Sequence, residues 1–203
     1  MNKGQLRTHF LNLLNRTDCT NTLADTFLEQ SISRAQRTLR IPSMEKTATF
    51  NISTSTSAIT IPNDFLEIID FYHGNTNISR VPLGKMVEMR SGTEQGTPKY
   101  FCRQDTEFLI YPYPTSGAVI LNYYASFPAL VADSDSNDLT LIASDLVTYG
   151  GLSYAADHFL DERKASFESG YQTFMAELSD QSNSADVSGT VQAIQPSAQF
   201  DLD

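Results

Sequence analysis

Leu28-Glu29-Gln30-Ser31-Ile32-Ser33-Arg34-Ala35-Gln36-Arg37-Thr38-Leu39-Arg40-Ile41-Pro42-Ser43-Met44-Glu45-Lys46-Thr47-Ala48-Thr49-Phe50-Asn51-Ile52 is the stretch on which the fold turns. In its first half Leu28, Ile32, Ala35 and Leu39 recur at i, i+4, i+7 and i+11, the spacing of one face of an α-helix. Pro42 has no amide proton to give a helix and stops it. From Thr47 the period falls to two, and Thr47-Ala48-Thr49-Phe50-Asn51-Ile52 alternates with β-branched residues, as a strand does. Helix and strand therefore occupy separate blocks of the chain, which predicts an α+β fold.

Toward the N-terminus, Leu6, Phe10, Leu13 and Leu14 predict a first helix over 3–15. Thr17-Asp18-Cys19-Thr20-Asn21 is a turn rich in capping residues. Toward the C-terminus, strands are predicted at Ala58-Ile59-Thr60-Ile61, Phe65–Tyr72, Lys99–Arg103, Glu107–Tyr111 and Ala118–Phe127, with a short helix over 83–91. Gln104-Asp105-Thr106 reads as a tight hairpin, and Pro112-Tyr113-Pro114-Thr115-Ser116-Gly117 as a stiff turn. Asp133–Asp138 is a polar connector. Helix returns at about Ser144, with Ser144-Asp145 as its cap. Tyr149, Leu152, Ala156 and Phe159 form one stripe; Phe167, Tyr171, Phe174 and Leu178 form another. Asp161-Glu162-Arg163-Lys164 marks a bend between them. Gly150, Gly151, Ser153, Ala155 and Ala156 are small enough to let a neighbouring helix come close. Each mid-helix glycine costs about 1 kcal/mol relative to alanine, so the packing has to be worth at least that.

The expected architecture is a helical bundle of N- and C-terminal helices (1–45 and 140–181) with an inserted antiparallel β-sheet or small sandwich (46–139). An extended C-terminal tail (182–203) follows. That tail is Ser, Asn, Asp, Gln and Gly with isolated apolar residues, a composition that cannot supply a core of its own.

The 203 residues carry a net charge of −10. Residues 1–103 hold 12 Lys+Arg and 9 Asp+Glu, whereas residues 104–203 hold 2 and 15. Duplex DNA is gripped chiefly by neutralising its phosphates, which an acidic half cannot do. Such a surface repels DNA or meets a basic partner. Cys19 and Cys102 lack metal-site spacing and suit a reducing compartment. The polar Met1-Asn2-Lys3-Gly4-Gln5 does not read as a signal peptide. No apolar run reaches the ~20 residues of a membrane span.

Catalytic patterns are missing. There is no phosphate-cradling glycine loop and no nucleophile elbow. His158 has Asp161 and Glu162 three and four residues on; this reads as a surface histidine rather than a metal site. Asp105 with Glu107, and Asp64 with Glu67, are carboxylate pairs of a kind strands and turns routinely carry. The aromatics from Tyr100 to Phe127 lack the interleaved bases of a single-strand platform and read as packing.

Phe27 to Glu45 resembles the start of tailed-bacteriophage head-to-tail adaptor (connector) proteins. Ile61-Pro62-Asn63-Asp64-Phe65-Leu66-Glu67 is similar to that family's entry into a long strand. Gly96-Thr97-Pro98-Lys99-Tyr100, Tyr111-Pro112-Tyr113-Pro114 and Val119-Ile120-Leu121-Asn122-Tyr123-Tyr124 follow in the same order. Pro128-Ala129-Leu130, a polar linker and Asp145 to Leu160 complete a resemblance spanning most of residues 20–180. It implies a ring, commonly twelvefold, that docks beneath the portal protein of the DNA-filled head and receives tail or nozzle proteins. Helices would pack around the channel, and genomic DNA would pass without sequence-specific contact during ejection. No catalytic residue, cofactor, metal or membrane contact is implied. The protein would reside in the virion at the head-tail interface after assembly in the host cytoplasm.

Within that frame Arg34, Arg37 and Arg40 suit either a solvated helix end, where positive charge opposes the helix dipole, or an acidic portal or adaptor surface. Val187, Val191, Ile194, Phe200 and Leu202 are the tail's candidate docking residues. Competing readings are another virion part, such as a tail completion protein, a virion-associated carboxylate-dependent hydrolase, and a nucleic-acid-binding module.

Overall fold

A computed structural model describes residues 1–187, with side chains as far as Ser182. It opens with α1 (Lys3–Leu14), capped by a reciprocal pair of hydrogen bonds between Asn2 and Gln5. Leu6, Phe10 and Leu14 are buried, but Leu13 is 38% exposed, so the stripe is narrower than its sequence spacing implies. The turn that follows supplies Thr20 as N-cap of α2 (Asn21–Thr38). The whole predicted stripe of α2, Leu28, Ile32, Ala35 and Leu39, is buried. The helix ends before the proline; Pro42–Met44 forms a 3-10 turn that leads directly into β1 (Glu45–Ser53).

The strand block continues with β2 (Ala58–Thr60), β3 (Phe65–His73), β4 (Thr76–Asn77), β5 (Ser79–Arg80), α3 (Leu83–Met89), β6 (Tyr100–Gln104), β7 (Glu107–Tyr111) and β8 (Ser116–Ala125). These form two four-stranded sheets, ordered β1-β8-β3-β4 and β2-β7-β6-β5. The first is antiparallel; the second is mixed because β5 runs parallel to β6. β6 and β7 form the expected hairpin, closed by Asp105 at φ 53°. The proline-rich turn after β7 instead carries the chain to the other sheet, where β8 is the central partner of β1 and β3. Between the sheets lies an aromatic core in which Phe71 meets Phe101 edge-to-face at 5.0 Å and Phe108 lies 5.4 Å from Phe101. These buried rings are packing, as the sequence predicts.

The connector runs straight into an unexpected helix, α4 (Asp138–Ile142), capped by Asn137 and Thr140 in a reciprocal pair. The next, α5 (Ser144–His158), has Ala143 at its N-cap and no side-chain cap, unlike the Ser144-Asp145 expectation. α5 packs against α1, α2, α4 and α6 (Lys164–Val187). A helix enclosed on so many sides has no polar face, and small residues set its separations. A Cβ on Gly150 would lie 2.2 Å from Ser31 Oγ and 2.8 Å from the Tyr171 ring, so α2 and α6 both close on that one residue. The break between α5 and α6 spans 159–163 and overlaps the charge cluster Asp161–Lys164, whose last residue opens α6. α6 then runs to Val187, beyond the position 182 at which composition places the start of the tail. Phe127, Leu130 and Leu139 are buried in the helical core.

Candidate interaction surfaces

Three arginines at the end of α2 have three different environments. Arg34 turns inward and forms a two-pronged pair with Glu168 of α6, one prong at 2.8 Å. Its guanidinium lies 4.1 Å from the centre of the Tyr171 ring. Glu168 also accepts hydrogen bonds from Ser153 Oγ and Gln172 Nε2, each 2.8 Å. The hydrogen bonds from Arg34 lead the causes that hold the Glu168 carboxyl down at about 2, against the cost of burial. Arg40 reaches Glu67 of β3 at 2.7 Å and also donates to the Leu39 and Gln36 carbonyls. Arg37 is exposed and forms no ion pair among the described residues. The structure thus gives Arg34 and Arg40 internal partners and leaves Arg37 facing outward.

The carboxylates of the two pairs have separate environments. Asp64 accepts from Lys46 Nζ at 2.6 Å and Tyr123 Oη at 3.0 Å. Burial works against the Asp64 carboxylate, but those two hydrogen bonds outweigh it and keep its pKa below the usual range. Burial, then the bond to Asp64, pushes Tyr123 up to about 12. Glu67 is held by Arg40. Asp105 and Glu107 are exposed at the β6–β7 hairpin. His158 is exposed, with its ring 5.6 Å from Phe27 and 4.8 Å from Phe159. Among the described residues no three His, Cys, Asp or Glu side chains gather as a metal site would require. Cys19 and Cys102 are buried free thiols. No described helix is long and apolar enough to cross a membrane.

Two concave surfaces lie on the helical part. A depression of about 860 Å³ along α1 is lined largely by polar residues, Asn2, Gln5, Thr8, His9 and Asn12 among them. A groove of about 220 Å³ is apolar. Ile41, Pro42 and Ser43 line one wall, Ile142 another, and Leu178, Gln181 and Ser182 of α6 a third. Ile142 is 56% exposed and its neighbour Leu141 62%. Ser43 Oγ is buried with no hydrogen-bond partner among the described residues. Nothing in the sequence marks this groove, because its walls come from three distant segments.

Of the tail's candidate residues, Val187 is the last of α6 and its side chain is not described. Val191, Ile194, Phe200 and Leu202 lie outside the described residues. A family model described as SU10 adaptor protein matches residues 1–193. No curated protein matches the chain.

Proposed function

We propose that this chain, which belongs to the SU10 adaptor protein family of phage head-to-tail adaptors, assembles as a ring beneath the portal and joins the DNA-filled head to the tail. The family match over residues 1–193 carries this reading. A structural virion role follows from the family; the ring, its twelvefold symmetry and its place in ejection are the further steps proposed. Tail or nozzle proteins attach on the far side. Genomic DNA passes through the channel without sequence-specific contact, and assembly takes place in the host cytoplasm.

Two physical features support the reading. The convergent polar groups of the structure are tied up in structural pairs: Arg34 with Glu168, Asp64 with Lys46 and Tyr123, and Arg40 with Glu67. Such pairs stiffen a scaffold. A heterologous ring also needs two different faces on one chain. Arg37 on α2 and the apolar tail residues Val187, Val191, Ile194, Phe200 and Leu202 are the groups assigned to those contacts, with the portal or with the adjacent copy.

The test is the mass and symmetry of the purified protein, alone and mixed with portal protein, followed by imaging of particles. A ring seated on the portal is the expected result. Particles in which the protein sits elsewhere on the tail would overturn it.

A further inference from the structure

A head-to-tail contact joins two different faces of one chain, and two exposed apolar patches of this chain match each other in shape and charge. From this we infer that α3 of one copy seats Leu83 and Val87 in the apolar groove of Ile41, Pro42, Ile142 and Leu178 on the next copy. The inference rests on the reading that copies of the chain associate, and it names the faces through which they do so.

The protruding patch is on α3. Met86 anchors this helix, clustering with Cys102, Leu109 and Tyr111 of the second sheet. Leu83 and Val87 stay 43% and 62% exposed. Four residues apart, they share one face of the helix, about 6 Å from each other along its axis. Leu83 also lines a depression of about 340 Å³ together with Arg80 and Arg103. Both arginines are exposed, and among the described residues neither forms an ion pair with Asp105, Glu107 or any other carboxylate. The one carboxylate on α3, Glu88, is held by Lys85 at 2.9 Å. The patch is therefore apolar with a basic border.

The groove has the opposite border. Asp138 stands four residues before Ile142 on α4, Glu45 two after Ser43, and Glu177 just before Leu178. All three are exposed, and none forms an ion pair among the described residues. The bases that flank this wall in the chain, Arg40 and Lys46, are taken up by Glu67 and Asp64. Ser43 Oγ, buried in the groove lining with no partner among the described residues, is left for an acceptor on the incoming chain. Leu83, Val87 and Ile142 are all exposed in the single chain, so it does not fill its own groove. Charge also selects the pairing. Groove on groove would set acids against acids, and α3 on α3 bases against bases, whereas α3 on the groove joins opposite signs. The contact is therefore head to tail rather than two-fold, and it adds to those assigned to Arg37 and the tail.

Disulfide trapping on the full chain tests this, because the bond forms only between backbones within about 7 Å. The substitutions are Val87→Cys and Ile142→Cys, made in separate chains; the native Cys19 and Cys102 are buried. Under mild oxidation, alone and on portal protein, the two variants mixed should link to each other, and neither should link to itself. Adding Arg80→Glu/Arg103→Glu to the Val87→Cys chain should lower the linking several-fold. Adding Asp138→Lys/Glu177→Lys to the Ile142→Cys chain should do the same. Mixing the two reversed chains should restore it, which a mere loss of folding would not. The proposal is overturned by no link in either setting, by self-linking as strong as the mixed link, or by reversals that have no effect or are not restored together. Mass reads the ring separately. A closed ring without the link removes these faces and leaves the ring; the link in open chains keeps the faces and removes the ring.

Discussion

Glu168 ties three helices together through one carboxylate: Arg34 reaches it from α2, Ser153 from α5, and its own helix adds Gln172. A carboxyl held at about 2, against an ordinary value of 4.5, binds fewer protons folded than unfolded across that interval. Its contribution is therefore complete above about pH 4.5 and fades as pH falls toward 2. Glu168→Gln should lose about 1–3 kcal/mol at pH 7, less than a fully buried pair because both side chains keep some exposure. Urea titrations at pH 7, 4 and 3 should show variant and parent converging as the pH drops; a constant gap would mean the charge is not what matters. The same reasoning separates the arginines. Arg34→Glu places two like charges together and should lower the melting temperature sharply, whereas Arg37→Glu should lower it only slightly, through the lost favourable charge at the helix end. Charge reversal aimed at a partner surface is thus informative at Arg37 and confounded by folding at Arg34. An equal loss of stability in both variants would contradict the placement of Arg37 on the outside.

At the scale of elements, α5 shows what close approach demands. Gly150 sits where Ser31 and Tyr171 leave no space for a methyl group. Gly150→Ala should gain about 1 kcal/mol of helix propensity and lose more than that to overpacking, for a net loss of about 1–2 kcal/mol. Ser31 Oγ is itself buried without a partner among the described residues, so Ser31→Ala alone should cost little. In the double variant part of the Gly150→Ala loss should be recovered, and a double-mutant cycle by thermal unfolding measures it. Strict additivity would show that Tyr171 alone sets the limit. The small residues of α5 were legible in the sequence as a packing surface, and so were the stripes of α2 and α6, because helical periodicity records one buried face. α4 was not, because five residues are too few to show a period and its N-cap, Asn137, is hidden in a polar run. The division of strands between two sheets was equally hidden: β1 and β2 are separated by a short turn yet pair with β8 and β7. Alternation states which way a side chain points, not which strand lies beside it. The partner of Arg34 lies 134 residues away, and no local pattern announces it.

For the whole molecule the question is where the charge ends up. The surplus bases of the first half are largely consumed by carboxylates: Lys3 with Asp25, Arg7 with Asp25 and Asp133, Arg34 with Glu168, Arg40 with Glu67, Lys46 with Asp64. Most of these pairs lie in or against the helices. Arg80, Lys99 and Arg103 are exposed on or beside β5 and β6 of the second sheet and form no ion pair among the described residues. The helical part is therefore the more acidic one, with Arg37 unpaired on α2, while the second sheet carries unpaired bases beside the exposed Asp105 and Glu107. A phosphate backbone would be repelled by the first and only weakly held by the second. This polarity favours an arrangement in which helices face the DNA path and the sheets face away from it. Duplex DNA titrated into the protein at about 0.15 M salt should bind more weakly than roughly 10⁻⁴ M, the loose end of non-specific binding. Reversing Arg80 and Arg103 should then change little. Fluorescence anisotropy with a labelled duplex settles the matter. Micromolar binding with a steep negative salt slope, lost on reversing those two arginines, would mean that the second sheet grips DNA. In the proposed ring the sheets, rather than the helices, would then face the DNA.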